Sequence, residues 1–375
     1  MRLETILRRR YLLLSGFALL CFLTRTPVEG GDWHYFVSGS DLLVGRHPAG
    51  MDLPGGLHLY ANYPELQIGP LGLAAAGFFR LVGFGHGHLV AQIAMCALAP
   101  LVVYLVEQAA VAVRGLHGAL DDRLLALGAL TGGALLVRSW TDAAGPVGHV
   151  DDVLALTACA LSAWAVATRR PILTGVGIGL AIGAKPWGVL ALPLVLGLSR
   201  ETRLRAFAAM LATAGAAWLP FLVADPSSVS AAGRFTVWTR ADSGLYALGI
   251  HGGSAPGWLR PTQIGLGLAF GIFAAARGRW AGALLAAFAV RIALDPAAWP
   301  YYTPELVLAA LIWDLVGARR PLPVWTAVTF VGLVVGGSAL ASPGARGFER
   351  VAVAAAALAA AALVPRRGRL VEATS

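Results

Sequence analysis

Apolar runs of membrane-spanning length recur along the whole chain, separated by short loops that carry arginine clusters. The clusters are Arg8-Arg9-Arg10, Arg114 with Arg123, Arg169-Arg170, Arg200 with Arg203 and Arg205, Arg277 with Arg279, Arg319-Arg320, and Arg366-Arg367 with Arg369. Cytoplasmic loops collect such residues. If all these clusters face the cytoplasm, each consecutive pair encloses an even number of crossings. Apolar runs near 11–25, 89–112, 124–138, 153–168, 171–184, 188–199, 206–224, 262–276, 280–294, 304–318, 322–341 and 350–364 nearly satisfy that condition. The pattern predicts an all-α, polytopic integral membrane protein of about 12 transmembrane helices, within a range of roughly 10–13. Residues 1–375 form one membrane domain, multi-pass in the plasma membrane, with both termini cytoplasmic.

Composition excludes the main alternatives. Charged residues are 13% and apolar residues 57% of the chain, whereas a soluble domain carries about 25% charged residues. The net charge of +9 sits in short loops rather than in a basic groove, so nucleic acid is not an expected partner. Cys21, Cys96 and Cys159 lie inside apolar runs, where packing is expected rather than disulfides or metal binding. The first run follows Arg8-Arg9-Arg10 without a clean small-residue cleavage site, and reads as a retained signal anchor.

This topology places 26–88, 138–152, the Lys185 turn, 225–261, 295–303 and 342–349 on the extracytoplasmic side. The first of these, 26–88, is a long loop, and 225–261 is a second large one. Residues 66–84 are apolar enough to span but are interrupted by Gly69-Pro70 and Arg80. They read as a short re-entrant or interfacial segment packed against other helices. Arg46, Arg138, Arg234, Arg240 and Arg260 fall outside against the rule, as ordinary surface arginines or as ligands of an anionic lipid phosphate.

The outer side also collects the polar residues that have no topological duty. Asp32 follows the first span, in Gly30-Gly31-Asp32-Trp33-His34-Tyr35-Phe36. A carboxylate at the membrane boundary is partly desolvated, which predicts a raised pKa and a proton-accepting role. Asp32 also reads as the N-cap of a helix lying on the membrane. His149, Asp151 and Asp152 precede the span at 153–168. They are suited to a cation or a sugar hydroxyl, or to complementing the helix dipole. His86 and His88 read as a polar turn sooner than as a metal pair. Lys185 is the only lysine in the chain. A boundary ammonium is a functional candidate suited to a phosphate oxygen; snorkelling to the interface is the other reading. Trp258, Trp299, Tyr301 and Tyr302 suit an aromatic belt, with sugar stacking open for one or two of them. No Walker loop, dinucleotide fingerprint, zincin motif or Gly-x-Ser-x-Gly occurs.

In order, Gly31-Asp32-Trp33-His34-Tyr35-Phe36, Tyr63-Pro64-Glu65-Leu66, Gly148-His149-Val150-Asp151-Asp152 and Ala184-Lys185-Pro186-Trp187 resemble GT-C-fold glycosyltransferases. The group includes the family 87 polyprenol-phosphate-mannose-dependent mannosyltransferases of actinobacteria. The resemblance covers about the first 200 residues; the C-terminal half shares only hydropathy. The turn at Tyr63-Pro64-Glu65 lacks the second proline of the family's Tyr-Pro-Pro-like turn.

The resemblance implies a GT-C-like fold with Asp32 as base. It places His34, Tyr63, Glu65, His149, Asp151, Asp152, Lys185 and Trp187 at the substrate. It implies inverting transfer of a sugar, mannose or arabinose, from a polyprenyl-phosphate donor to an envelope glycolipid or glycan acceptor. Membrane lipids are the other expected partners. No cofactor is implied; no metal is assigned, and a divalent cation near Asp151-Asp152 is left open. A secondary transporter or lipid flippase is the competing class, and a non-enzymatic envelope assembly protein is the third.

Overall fold

Helices account for nearly all the regular structure in the computed structural model, which describes residues 3–25, 31–231, 234–340 and 342–363. An isolated bridge pairs Trp238 with Ser254. The Arg366-Arg367-Arg369 cluster and both chain ends lie outside the described residues, as do residues 341 and 364 of the last two expected spans.

The chain opens with α1 (Leu3–Arg8) and α2 (Arg10–Arg25). Leu14, Ala18 and Cys21 recur at helical spacing and are buried, while Leu12, Leu19, Leu20 and Leu23 are exposed. A helix with leucine on its outer face faces lipid rather than water. Arg10 of the first arginine cluster is buried. It turns inward and forms a buried two-point pair with Glu107, at 2.7 and 2.5 Å. A buried carboxylate on an apolar helix needs such a partner.

The expected first outer loop is largely helical: α3 (Trp33–Leu43), α4 (Leu59–Asn62) and α5 (Pro70–Val82). The 13 residues of α5 extend about 20 Å, short of a hydrocarbon core of about 30 Å. Among the described residues five helices are long and apolar enough to cross a membrane. The first three are α6 (Gly87–Arg114), α7 (Arg123–Asp142), which runs on as a π-helical turn to Val147, and α8 (Val150–Ala167). The expected outer loop at 138–152 therefore shrinks to a turn at Gly148-His149, because the helix continues with a looser winding past the predicted end of the span.

Next come α9 (Pro171–Ala184) and the long α10 (Arg200–Ala224). Gly175 and Gly179 of α9 face α10 so closely that a Cβ would sit 2.0 Å from the Ala206 carbonyl and 2.5 Å from Thr213 Cβ. Small residues at every fourth position allow this approach in lipid. The run at 188–199, expected as a helical crossing, is instead a 3-10 helix over Pro186–Gly197 with Pro193 inside it. The proline lacks the N–H that α-helical bonding needs.

The second outer loop holds α11 (Ser227–Ala231) and α12 (Gly244–Ala247). It packs on the first loop: His58 bonds Asp225 at 3.0 Å, and Arg234 donates to the Ala61 carbonyl at 2.7 Å. The C-terminal part comprises α13 (Leu259–Ala276), α14 (Ala283–Ala293), α15 (Thr303–Ile312), α16 (Val324–Phe330), α17 (Gly337–Ala339) and α18 (Pro343–Leu363). Every residue of α15 is buried, so it is a central helix with no lipid face. The three cysteines are free and buried.

Substituting Gly179→Leu is expected to push α9 and α10 apart and cost roughly 1–3 kcal/mol through overpacking. The measurement is the melting temperature in detergent. Gly215→Leu on α10 is the control, because a Cβ at Gly215 meets nothing within 4 Å. Equal stability of the two variants contradicts the close seam.

Candidate active site

The sharp turn at Gly148, with φ +74°, lets the chain leave the π-helical end of α7 and re-enter α8 at once. Glycine adopts that backbone without steric cost. The turn carries His149 as the N-cap residue of α8, with Asp151 and Asp152 in the first helical turn. His149 is 7% exposed and both carboxylates are fully buried. Gly31 and Asp32 arrive from the first loop by backbone bonds to the Pro146 and Val147 carbonyls, at 3.2 and 3.3 Å.

These connections bring six predicted residues together: Asp32, His149, Asp151, Asp152, Lys185 and Trp187. His149 Nε2 lies 2.6 Å from Asp32 Oδ2, and its Nδ1 lies 2.8 Å from Asp152 Oδ2. Asp32 holds the N-cap position of α3, but its side chain does not cap the helix; it turns to His149 instead. Lys185 ends α9 in an extended conformation ahead of Pro186, as a residue preceding proline favours. Its Nζ donates to Asp151 Oδ2 at 2.6 Å and Asp152 Oδ2 at 3.0 Å. Trp187 Nε1 donates to Asp152 Oδ1 at 3.0 Å. Asp32 and Lys185 thus meet through His149 and Asp152.

Rings fix the imidazole. Tyr301 stacks on it with 3.7 Å between centroids and a 19° tilt, and Phe36 meets it edge-on at 5.8 Å. Trp299 stacks in turn on Tyr301. Tyr301 and Trp299, expected in an aromatic belt, form instead a wall of the cluster.

Charge states follow from these contacts. Burial alone would lower the His149 pKa, but hydrogen bonds from its ring to Asp151, Asp152 and Asp32 outweigh it and raise the value to about 10. His149 is therefore an imidazolium at neutral pH, donating from both nitrogens. The expected raised pKa of Asp32 is overturned. The hydrogen bond from His149 is the largest influence and holds this carboxylate below its ordinary range despite partial burial. Asp32 is an ionised, half-buried carboxylate. Among the described residues no hydrogen bond reaches its Oδ1.

Lys185, expected to face a lipid phosphate, is committed to two carboxylates instead, because two adjacent buried anions need a cation. His149, Asp151 and Asp152 could each direct one ligand atom within 4.8 Å of the others. A divalent ion there would have to displace the ammonium that already bridges the two carboxylates.

Three predicted residues stay outside the cluster. His34 is exposed and stacks on Tyr35. Tyr63 is buried, and its hydroxyl donates to the Leu53 carbonyl at 2.7 Å, which pins the loop. Glu65 is exposed, with no side-chain partner among the described residues.

Arg291 and Glu305, which the sequence reading does not single out, form a buried ion pair. Arg291 also lies 3.7 Å from Asp295 and covers the rings of Trp187 and Tyr302. The signal is present in the sequence, since a charge inside an apolar run is by default a candidate.

A search of solved structures finds archaeal oligosaccharyltransferase AglB from Archaeoglobus fulgidus in complex with an inhibitory peptide and a dolichol-phosphate. The TM-score is 0.42 and the identity 13%, over 98% of this chain and 57% of that one. The chain thus spans little more than half of that protein, and a likeness of this degree carries no argument about activity. No family model and no curated protein matches the chain.

The charges have two measurable consequences. The raised His149 pKa stabilises the fold fully below its ordinary value of 6.5, and that contribution is lost progressively as pH rises to about 10. Melting temperatures of the wild type and His149→Gln, recorded from pH 6 upward, should therefore converge; a constant gap would remove the imidazolium. Lys185→Met removes the ammonium that two buried carboxylates share and is expected to cost roughly 3–5 kcal/mol, read as a lowered midpoint on heating. Lys185→Arg, which keeps the charge, should lose less.

Proposed function

We propose that this chain is a GT-C-type membrane glycosyltransferase. It moves a sugar, mannose foremost, from a polyprenyl-phosphate donor to an envelope glycolipid or glycan on the extracytoplasmic face of the plasma membrane. Both termini are cytoplasmic in this reading. The observation that carries it is the state of Asp32: an ionised, half-exposed carboxylate, fixed on one oxygen by a buried imidazolium and open on the other.

In the proposed step the acceptor hydroxyl oxygen attacks the anomeric carbon of the donor from the face opposite the phosphate. The new carbon–oxygen bond forms as the bond from the anomeric carbon to the phosphate oxygen breaks. That electron pair leaves with the polyprenyl phosphate, and configuration inverts. The hydroxyl proton passes to Asp32 Oδ1. An alcohol becomes strongly acidic only as its oxygen bonds to carbon, so a carboxylate of low proton affinity suffices at that moment. His149, held by Asp151 and Asp152, positions Asp32 rather than taking the proton itself. Phosphate leaves without a proton donor, so a single carboxylate suffices, in contrast to the pair in glycoside hydrolases.

One observation favours the transporter reading. Two buried charge groups, Lys185 with Asp151 and Asp152 and Arg291 with Asp295 and Glu305, flank Trp187, which donates to Asp152 and lies under Arg291, and such chains occur along proton paths in transporters.

Asp32→Asn keeps the size of the side chain and removes the base. With purified protein and a panel of radiolabelled polyprenyl-phosphate sugars, turnover is expected to fall by about 10²–10⁴-fold while donor binding persists. Undiminished sugar transfer by this variant rules out Asp32 as base, and proton-coupled flux with no transfer by the wild type supports the transporter.

A further inference from the structure

A cavity of about 480 Å³ lies beyond the Trp299 wall of the cluster and does not include Asp32, His149 or Lys185. It is lined by four arginines, Arg25, Arg138, Arg346 and Arg350, and by the carboxylates Asp142, Asp242 and Glu349. Two of the carboxylates are engaged. Asp142 accepts from Arg25 at 2.5 Å and from Arg138 at 2.8 Å. Asp242 accepts from Arg240, at 3.2 and 3.4 Å.

Arg346 and Arg350 stand one turn apart on α18 and are not engaged. Arg350 is only 6% exposed, yet its Nε and Nη2 find no hydrogen-bond partner, and neither does Arg346 Nε. Asp242 and Asp295 act on Arg350 through space without bonding to it. Neither arginine forms an ion pair with Glu349, its neighbour on α18, among the described residues. A guanidinium buried with free donors is costly, and its planar fork matches a phosphate oxygen pair.

One part of the remaining wall is apolar. It comes from the π-helical stretch Val331–Gly336 between α16 and α17, through Leu333, Val334 and Val335. Val331 and Val335 of the same stretch are about half exposed on the outer surface, the surface that meets lipid in this topology. The cavity thus combines free guanidinium donors with an apolar side continuous with the membrane.

We propose that this cavity binds the phosphate headgroup of an anionic amphiphile, with Arg346 and Arg350 as its ligands and the 331–336 stretch against its chain. The inference does not depend on the transferase reading, since no catalytic step is assigned to the cavity.

The test is titration calorimetry of the full chain in an uncharged maltoside detergent with farnesyl phosphate, farnesol and inorganic phosphate. Farnesyl phosphate should bind, and Arg346→Gln and Arg350→Gln should each raise its Kd by about tenfold or more. Farnesol should show no arginine-dependent binding. Competition by inorganic phosphate at the same concentration as farnesyl phosphate supports the anion site and assigns free phosphate as its source. Arg346 is only half-buried, so its variant keeps the test open if Arg350→Gln fails to fold. Asp32→Asn should bind farnesyl phosphate as the wild type does, which keeps a failure of the base separate from a failure of this site. Unchanged affinity in both arginine variants, or farnesol binding as tightly as its phosphate, overturns the proposal.

Discussion

Two adjacent carboxylates with no exposed surface, Asp151 and Asp152, organise everything around them. Placing an anion in a low-dielectric interior costs several kcal/mol, and two side by side cost more unless cations meet them closely. Lys185 and His149 do so, at 2.6–3.0 Å. Meeting that need dictates local backbone far apart in sequence. Helix α9 must stop where Lys185 can reach across, and α7 must turn back at Gly148 so that His149 stands at the start of α8. The entry of the first loop must lie against Pro146 and Val147. A segment that follows the first span is thereby tied to the start of α8 and the end of α9.

The first turn of α8 draws on the same electrostatics. Its positive end favours carboxylates, so the helix-dipole reading of Asp151 and Asp152 and the site reading are one arrangement. Tight pairing has a second effect. His149, clamped between carboxylates, is held protonated, and that positive charge keeps Asp32 ionised at the water-facing edge.

The members of this cluster are legible in the sequence because charged side chains stand out at the ends of apolar runs. A single lysine at 185 and a His-x-Asp-Asp at 149 have no topological duty to explain them. Their mutual roles are not legible. Whether Lys185 faces a phosphate or a carboxylate depends on which helix ends meet, and spacing along the chain does not contain that. The direction of the Asp32 shift fails for the same reason, since burial is foreseeable and the His149 contact is not. Hydropathy locates the helices but not their winding. The π-helical extension to Val147 and the 3-10 helix at Pro186–Gly197 are set by prolines and by packing. Arg291 and Glu305 stay hidden because averaging hydropathy over a window erases single charges.

The distribution of freedom within the buried network separates the two functional readings. Alternating access needs charges that exchange partners or lose protons as the protein changes face. Here Asp152 is saturated: both oxygens accept, from His149, Lys185 and Trp187 together. Lys185 is shared between two anions, and His149 is locked by a stacked Tyr301 as well as by its carboxylates. A set so closed resists rearrangement, because releasing any one member strands another in the interior. Within the cluster around His149 the open carboxylate oxygen is Asp32 Oδ1, whereas deeper in the interior Asp295 and Glu305 keep oxygens without a hydrogen-bond partner among the described residues. A fixed carboxylate with one exposed oxygen suits the proposed one-proton group transfer at a membrane surface, and the unbonded oxygens of Asp295 and Glu305 are where a transport reading would have to begin.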